Sequence, residues 1–195
     1  MQYIWLALLW LLFGVLHSIL AAAKVKRWLI ATMKAGYKYY RPAYSLFALI
    51  NLVIVAWYHI SIPTLSLWAA GLAQKATAIV LIVPALLVMA ASIRKYFLNL
   101  SGIDVFLKQR PAAPLHLEQT GLHRYMRHPL YSGTLLFVWG IFLWQSSLAN
   151  LVSCSCITAY TVIGAYFEEK KLLASFGEAY RVYTKKVPML LPGIK

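Results

Sequence analysis

The sequence predicts an all-α integral membrane protein with about five transmembrane helices and a cytoplasmic C-terminal amphipathic helix. Hydrophobic residues make up 62% of the 195-residue chain, and the mean hydropathy is +0.68. Only 12% of the residues are charged, whereas soluble domains carry about 25%. The uncharged runs are close to the ~20 residues that a helix needs to cross a bilayer. Almost all basic residues lie in alternate connections between these runs.

The uncharged runs define the predicted spans. Three spans lie in the N-terminal half, at about Tyr3–Ala23, Ala43–Ile60 and Ala76–Ile93. No basic residue precedes the first run, which favours a retained membrane helix over a signal peptide. The uncharged run from Pro129 to Phe167 is too long for one span. Its polar break at Gln145-Ser146-Ser147 therefore predicts a hairpin made of spans four and five.

The basic residues predict the orientation of these spans. Of the 19 Lys and Arg residues, only Lys75 lies in a connection on the other side of the membrane. The positive-inside rule then places the N-terminus outside and the charged connections in the cytoplasm, at the inner membrane if the chain is bacterial. Because the net charge of +14 arises from these connections, it does not indicate nucleic-acid binding. The predicted partner is membrane lipid, because basic connections of this kind attract anionic headgroups.

The chain is predicted to form a single domain over residues 1–195. Residues 1–98 would form a three-helix part, and residues 99–195 would form a cofactor-binding loop, the hairpin and the tail. Apolar residues recur at helical spacing after the last span and predict the amphipathic helix: Leu172, Phe176, Tyr180 and Tyr183. The two cysteines, Cys154 and Cys156, form no metal-binding pattern, so no metal is expected. The sequence does not specify an oligomeric state.

The hairpin would bring two charged edges together on the cytoplasmic side. Arg127-His128 immediately precedes span four, and Glu168-Glu169 immediately follows span five. Pro129 suits the first turn of a helix, where its missing N–H costs nothing. Two explanations remain open on physical grounds: a salt bridge that closes the hairpin, and a polar pocket that joins a charged cosubstrate to an apolar acceptor.

Two long motifs carry a resemblance to a known superfamily. They are T-G-L-H-R-Y-M-R-H-P-L-Y-S-G from Thr120 to Gly133 and E-E-K-K-L-L-A-S-F-G-E-A-Y-R-V-Y from Glu168 to Tyr183, followed by V-P-M-L-L-P. The chain resembles the isoprenylcysteine carboxyl methyltransferase and phospholipid methyltransferase superfamily. Shorter N-terminal motifs, including L-F-G-V-L-H-S-I-L-A, Y-R-P-A-Y-S-L-F-A and N-L-S-G-I-D-V-F-L, resemble the methanethiol S-methyltransferase branch and the membrane proteins of nitrogen-oxide metabolism that group with it.

The resemblance implies a membrane methyltransferase that uses S-adenosyl-L-methionine. It assigns catalytic roles to Arg127, His128 and Glu168. The implied cofactor-binding residues are Leu117, Glu118, His123, Arg127, His128, Pro129, Tyr131, Glu168 and Glu169. The superfamily has a tyrosine where this chain has His123, so the contact made there is an open point.

The methyl acceptor is expected to be small or lipophilic, and a thiol is favoured. The turns before Glu168 carry no cation that would suit a substrate carboxylate, unlike those of the prenylcysteine enzymes that the chain resembles. His17, Arg41 and Tyr44 lie near the inner ends of spans one and two and are the predicted substrate residues. The alternatives are methylation of a lipid amine or of an isoprenylcysteine carboxylate, and a non-catalytic membrane protein of the same fold.

Overall fold

The computed structural model describes residues 1–101 and 116–193, without the side chains of residue 35 and residues 95–101. Seven α-helices lie within these ranges: α1 (Gln2–Ala21), α2 (Ala23–Met33), α3 (Tyr40–Ser61), α4 (Leu72–Ser101), α5 (Pro129–Trp144), α6 (Leu148–Phe176) and α7 (Glu178–Lys186). The prediction of an all-α fold is confirmed. The predicted cofactor-binding loop starts at residue 99, but residues 99–101 form the end of α4, and the structure describes the loop again from residue 116. Most of the N-L-S-G-I-D-V-F-L motif lies outside the described residues.

Four stretches of the described chain are long and apolar enough to cross a membrane, and they make the chain an integral membrane protein: Gln2–Ala21, Gly36–Ser61, Leu72–Arg94 and Leu148–Phe176. The fifth predicted span forms the shorter apolar helix α5, which has 16 residues. At 1.5 Å per residue, α5 is about 24 Å long, somewhat less than the ~30 Å hydrocarbon core. The number of five crossings therefore stays a prediction.

The chain divides into two compact units. The first is built around Met1–Leu65, where α1 packs against α3. Hydrogen bonds join these two helices at both ends: the Tyr40 hydroxyl donates to the Leu20 carbonyl over 2.6 Å, and the Tyr58 hydroxyl donates to the Gln2 carbonyl over 3.2 Å. The connection between them was not predicted to be helical, but it contains α2 and a 3-10 helix at Lys34–Tyr39.

The second unit contains Ser66–Lys95 and residues 116–193. Two glycines of α5 allow it to approach α4 closely. A Cβ on Gly133 would lie 2.7 Å from the Met89 side chain, and one on Gly140 would lie 2.6 Å from the Ile82 side chain. Real Cβ atoms do not approach other atoms so closely, so the packing of α5 against α4 requires glycine, which has no Cβ, at both positions.

Helices α5 and α6 form the predicted hairpin. The turn between them falls at Gln145–Ser147, as the polar break predicts. The Ser147 side chain caps the N-terminus of α6 by accepting from the backbone N–H of Asn150, whose side chain donates to the Gln145 carbonyl over 2.7 Å. Across the hairpin, the Trp139 indole donates to the Thr158 hydroxyl over 3.1 Å.

Helix α6 continues past Glu168-Glu169 to Phe176, and the stretch predicted as one amphipathic helix is divided between the end of α6 and α7. Gly177 has a φ of +55°, in the left-handed region that favours glycine, and separates α6 from α7. Because of this break, α7 folds back so that Tyr180, Tyr183 and Val187 form a buried cluster with Phe176. The cytoplasmic location of this helix stays a prediction.

Candidate active site

The hairpin brings the two predicted charged edges together. The Arg127 guanidinium pairs with the Glu169 carboxylate at two points: Nε lies 3.0 Å from Oε1, and Nη2 lies 2.7 Å from Oε2. Only 11% of the Arg127 side chain and 17% of the Glu169 side chain are exposed. A two-point pair of this kind fixes both position and angle of the carboxylate.

The same carboxylate accepts from two further side chains. His128 Nε2 and the Tyr180 hydroxyl each lie 2.6 Å from Glu169 Oε1. A carboxylate paired with a guanidinium is an acceptor, so Nε2 is the ring nitrogen that carries the proton of His128. The Glu169 carboxylate thus determines the tautomer of His128 and leaves Nδ1 as the ring nitrogen that can accept a proton.

The charges of the pair act on the ionisation of its neighbours. Burial by itself lowers the pKa of the Arg127 guanidinium, but the hydrogen bonds and charge of Glu169 outweigh burial and raise that pKa above its ordinary value. Burial, and then the hydrogen bond and charge of Glu169, raise the pKa of Tyr180. Arg127 therefore stays cationic, and Tyr180 stays a neutral hydrogen-bond donor.

Glu168 has a different environment from its neighbour in sequence. Its side chain is 45% exposed and accepts a hydrogen bond of 2.9 Å from the Tyr131 hydroxyl. Its Oε2 also lies 3.8 Å from His128 Nδ1. The Tyr131 and His128 rings stack with centroids 5.4 Å apart. Glu168, Tyr131 and His128 thus form one small surface of charged, hydroxyl and aromatic groups.

The C-terminal strap, residues 187–190, holds the polar edge of α5 through main-chain carbonyls. The N–H groups of Arg127 and His128 donate to the carbonyls of Pro188 and Met189 over 2.9 and 3.1 Å. Other donors to the strap are Arg127 Nη1, which reaches the Val187 carbonyl, and the buried Ser132 hydroxyl, which reaches the Leu190 carbonyl. Sequence reasoning missed the strap and the role of Tyr180, although both lie in the motifs that carried the resemblance.

Among the other predicted cofactor residues, Pro129 and His123 lie next to Arg127 and His128, whereas Glu118 contacts residues of its own loop. Pro129 is buried at the first turn of α5. His123 Nδ1 lies 3.1 Å from the Arg127 carbonyl. Leu117 packs on the cluster of Tyr180, Tyr183 and Val187. The Glu118 carboxylate accepts from the Thr120 N–H over 3.1 Å and lies 3.4 Å from His116 Nε2.

The predicted substrate residues belong to the first unit. The Tyr44 hydroxyl lies 2.8 Å from His17 Nε2 and 3.0 Å from Nδ1, so it bonds to one ring nitrogen at a time. Both side chains line a small, mainly apolar recess together with Phe13, Leu16, Phe47, Ala48 and Asn51. Arg41 is exposed in the first turn of α3.

No group of three His, Cys, Asp or Glu residues in the described part of the chain is arranged to hold a metal ion. Cys154 is buried in α6, where its thiol donates to the Val138 carbonyl across the hairpin over 3.0 Å. Cys156 lies on the same helix and is half-buried.

Fold and site together define an all-helical membrane protein with a fixed Arg–Glu–His cluster at the mouth of a helical hairpin. Comparison with known families gives a match of residues 5–191 to the family described as NnrU protein. The chain belongs to the NnrU protein family.

Several of its relatives are named as methyltransferases. The chain is 28% identical over 190 residues to methanethiol S-methyltransferase 1 of Bradyrhizobium diazoefficiens, a match that covers 95% of this chain and 65% of that enzyme. It is 31% identical to the methanethiol S-methyltransferase of Pseudomonas deceptionensis, over 94% of this chain and 70% of the relative. A shorter match, 36% identical over 37% of this chain and 31% of the relative, links it to the protein-S-isoprenylcysteine O-methyltransferase of Schizosaccharomyces pombe.

These matches confirm the resemblance to the methanethiol S-methyltransferase branch and the predicted class, a membrane methyltransferase. The chain spans about two thirds of the length of these methanethiol relatives. No solved structure matches the chain.

Proposed function

We propose that the protein transfers a methyl group from S-adenosyl-L-methionine to a small thiol at the surface formed by Glu168, Tyr131 and His128. The observation that carries this proposal is that two adjacent carboxylates have different environments. Glu169 is held by Arg127, His128 and Tyr180, whereas Glu168 is half-exposed. A protein that only closed its hairpin with a salt bridge would have no use for the second carboxylate.

The residues present fit the proposed cofactor. Tyr131 uses one of the roughly four acceptor positions of the Glu168 carboxylate. The remaining positions suit the cationic amino group of S-adenosyl-L-methionine. His128 and Pro129 would supply walls of the site, and Leu117, Glu118 and His123 would lie along it. When bound, the cofactor supplies a methyl group on a positively charged sulfur.

Arg127 and Glu169 act through His128 in this proposal. Glu169 fixes the imidazole with its proton on Nε2, and Arg127 fixes Glu169. Nδ1 of His128 would then take the proton of an acceptor thiol. A thiol has an ordinary pKa of about 8.5 and attacks as the thiolate, so a base at this position raises the reactive fraction. Arg127 is thus a positioning residue.

The acceptor is the less defined partner. The names of the relatives favour methanethiol or another small thiol. His17, Arg41 and Tyr44 are proposed to contact the acceptor, and the His17–Tyr44 pair supplies polar groups in a recess lined mainly by apolar side chains. The distribution of basic residues supports a cytoplasmic active site and an external N-terminus.

A second candidate, methylation of a prenylated cysteine carboxylate, is favoured only by the shorter match to the fission-yeast enzyme. Both candidates are tested with purified full-length protein, labelled S-adenosyl-L-methionine and three acceptor classes: methanethiol, a lipid amine and a prenylcysteine carboxylate. We expect label on the thiol and loss of most turnover in Glu168→Gln. Labelling of the carboxylate alone would establish the second candidate. Equal turnover of Glu168→Gln and wild type would disprove the site.

A further inference from the structure

A cationic platform occupies one end of the first unit. It consists of α2 and the 3-10 helix that follows it. Its basic residues are Lys24, Lys26, Arg27, Lys34 and Lys38. No acidic residue occurs in the sequence before Asp104, so the first 65 residues supply no carboxylate to neutralise this charge.

The two neighbouring helices place the platform at a membrane surface. Helix α1 ends at Ala21, and α3 begins at Tyr40, so the platform connects the ends of two stretches that can cross a bilayer. The hydrogen bond from the Tyr40 hydroxyl to the Leu20 carbonyl ties these ends together. The opposite ends are tied by the Tyr58 hydroxyl and the Gln2 carbonyl. A connection at the end of such a pair must leave the hydrocarbon core at the level of the headgroups.

The helical backbone is interrupted where the platform begins. Ala22 is extended, with φ of −65° and ψ of 137°, and separates α1 from α2. Its N–H donates to the Ile19 carbonyl over 3.1 Å, which closes α1. Helix α2 is therefore a separate helix and no continuation of the span.

The platform also exposes large apolar side chains. Trp28 is 64% exposed, and Ile30 and Met33 are exposed on the same short helix. The ammonium group of Lys38 lies 4.9 Å from the ring centre of the exposed Tyr39. In water, the exposure of these apolar side chains, and the mutual repulsion of the neighbouring basic residues, would both be unfavourable. At the headgroup level, tryptophan and lysine are both well placed, because each has an apolar part and a polar end.

The geometry points to the cationic platform as a binding surface for the headgroups of anionic phospholipids in the surrounding bilayer. Two properties carry this assignment together. The basic side chains supply attraction to phosphate, and Trp28, Ile30 and Met33 supply the apolar contact that lets a short helix lie in the interface. The assignment does not depend on the methyltransferase activity.

The test is lipid retention by the full-length protein. Protein purified in mild detergent is delipidated and incubated with mixed micelles of zwitterionic phosphatidylcholine and anionic phosphatidylglycerol. Retained lipids are counted by native mass spectrometry. We expect wild type to enrich the anionic lipid and K24Q/R27Q/K34Q to lose this enrichment. The loss should approach fivefold for each charge removed at low salt, the ratio that corresponds to ~1 kcal/mol per basic residue.

The matched control removes three basic residues elsewhere. Lys171, Lys185 and Lys186 are exposed in the C-terminal region, and K171Q/K185Q/K186Q should retain the enrichment. The charge-conserving variant K24R/R27K/K34R should retain it too. Equal retention by the platform variant and wild type would show that these charges serve only to orient the chain during insertion, and would overturn the assignment.

A second measurement uses wild-type protein alone and so does not depend on how the variants fold. Raising the ionic strength from 0.01 to 1 M shortens the Debye length from about 30 to 3 Å. Anionic enrichment at the platform should fall steeply over this range, whereas retention of phosphatidylcholine should change little. Enrichment that is independent of salt, or absent in wild type, would also overturn the assignment.

Discussion

Arg127 and Glu169 are 42 residues apart and form a two-point ion pair, with Nη2 2.7 Å from Oε2 and Nε 3.0 Å from Oε1. The pair joins the start of α5 to the end of α6 at the open end of the hairpin. Its carboxylate also holds His128 and Tyr180. Four donors thus converge on one acidic side chain, and the local structure should depend on it.

We expect Glu169→Gln to reduce the free energy of unfolding by about 3 kcal/mol, the lower end for loss of one partner of a buried ion pair. The amide cannot accept from four donors and leaves the Arg127 charge without its partner. Thermal unfolding in detergent measures the effect. Glu178→Gln is the control, because its side chain is 69% exposed and 3.6 Å from Arg181; this change should stay within about 0.5 kcal/mol.

The double variant Arg127→Gln/Glu169→Gln separates pairing from packing. The second substitution removes the charge that the first leaves unpaired, so the two effects should not add, with a coupling of about 1–3 kcal/mol. Strict additivity would mean that the ion pair does not stabilise the hairpin.

Unlike Glu169→Gln, Glu168→Gln should have little effect on stability and a large effect on ligand binding. Its side chain is half-exposed and has Tyr131 as its hydrogen-bonding partner, so the free energy of unfolding should change by less than about 1 kcal/mol. Binding of S-adenosylhomocysteine, measured by calorimetry, should be lost because the cationic amino group loses its proposed partner. Tight binding to Glu168→Gln but not to a folded Glu169→Gln protein would exchange the proposed roles of the two carboxylates.

The contrast between these neighbours marks the limit of what the sequence predicted. The lengths of the uncharged runs and the break at Gln145-Ser146-Ser147 are enough to predict the hairpin, and the hairpin brings Arg127 near the Glu168-Glu169 pair. Adjacent residues on a helix point about 100° apart, so only one carboxylate can face Arg127. Glu169 is the one that does so, and it also accepts from Tyr180 of α7, a contact across the break at Gly177 that the sequence pattern does not show.

The C-terminal strap and the helical structure of α2 could not be predicted from the residue types. The strap acts through the carbonyls of residues 187–190, and every residue type has a carbonyl. Helix α2 is short and rich in Lys and Arg, a composition that is equally typical of a charged connection without helical structure. Its helical structure depends on its location beside α1, which composition alone does not specify. The single-domain prediction and the roles of the site residues stay predictions.

Tyr180→Phe tests the link between Glu169 and α7 through its pH dependence. Near neutral pH, loss of the hydroxyl should lower the free energy of unfolding by about 1.5–3 kcal/mol, since the lost hydrogen bond is to a charged acceptor. The pKa of Tyr180 is raised in the folded protein. Its stabilisation is therefore fully present below the unfolded pKa of about 10 and is lost as pH rises through the folded pKa.

The two proteins should accordingly converge in stability above pH ~10, because phenylalanine does not titrate. Denaturant titrations of wild type and Tyr180→Phe between pH 7 and 11 measure the difference. A difference that stays constant across this range would mean that the environment of Tyr180 does not favour its protonated form.

Gly133→Ala tests the close approach of α5 to α4. The added Cβ would lie 2.7 Å from the Met89 side chain and 3.1 Å from the Ala85 carbonyl oxygen. Met89 can move, but the carbonyl belongs to a helix, so α5 must shift. We expect a loss of about 1–3 kcal/mol, typical of overpacking, and weaker cofactor binding, because Gly133 lies two residues after Tyr131.

Gly164→Ala is the matched control, since Gly164 lies within α6 and a Cβ there would meet nothing within 4 Å. Alanine is the better helix former by about 1 kcal/mol, so this variant should be as stable as wild type or more stable. Thermal unfolding of both variants in the same detergent makes the comparison. If Gly133→Ala behaved like Gly164→Ala, α5 would have room beside α4, and the glycine would have no part in positioning Tyr131 and His128.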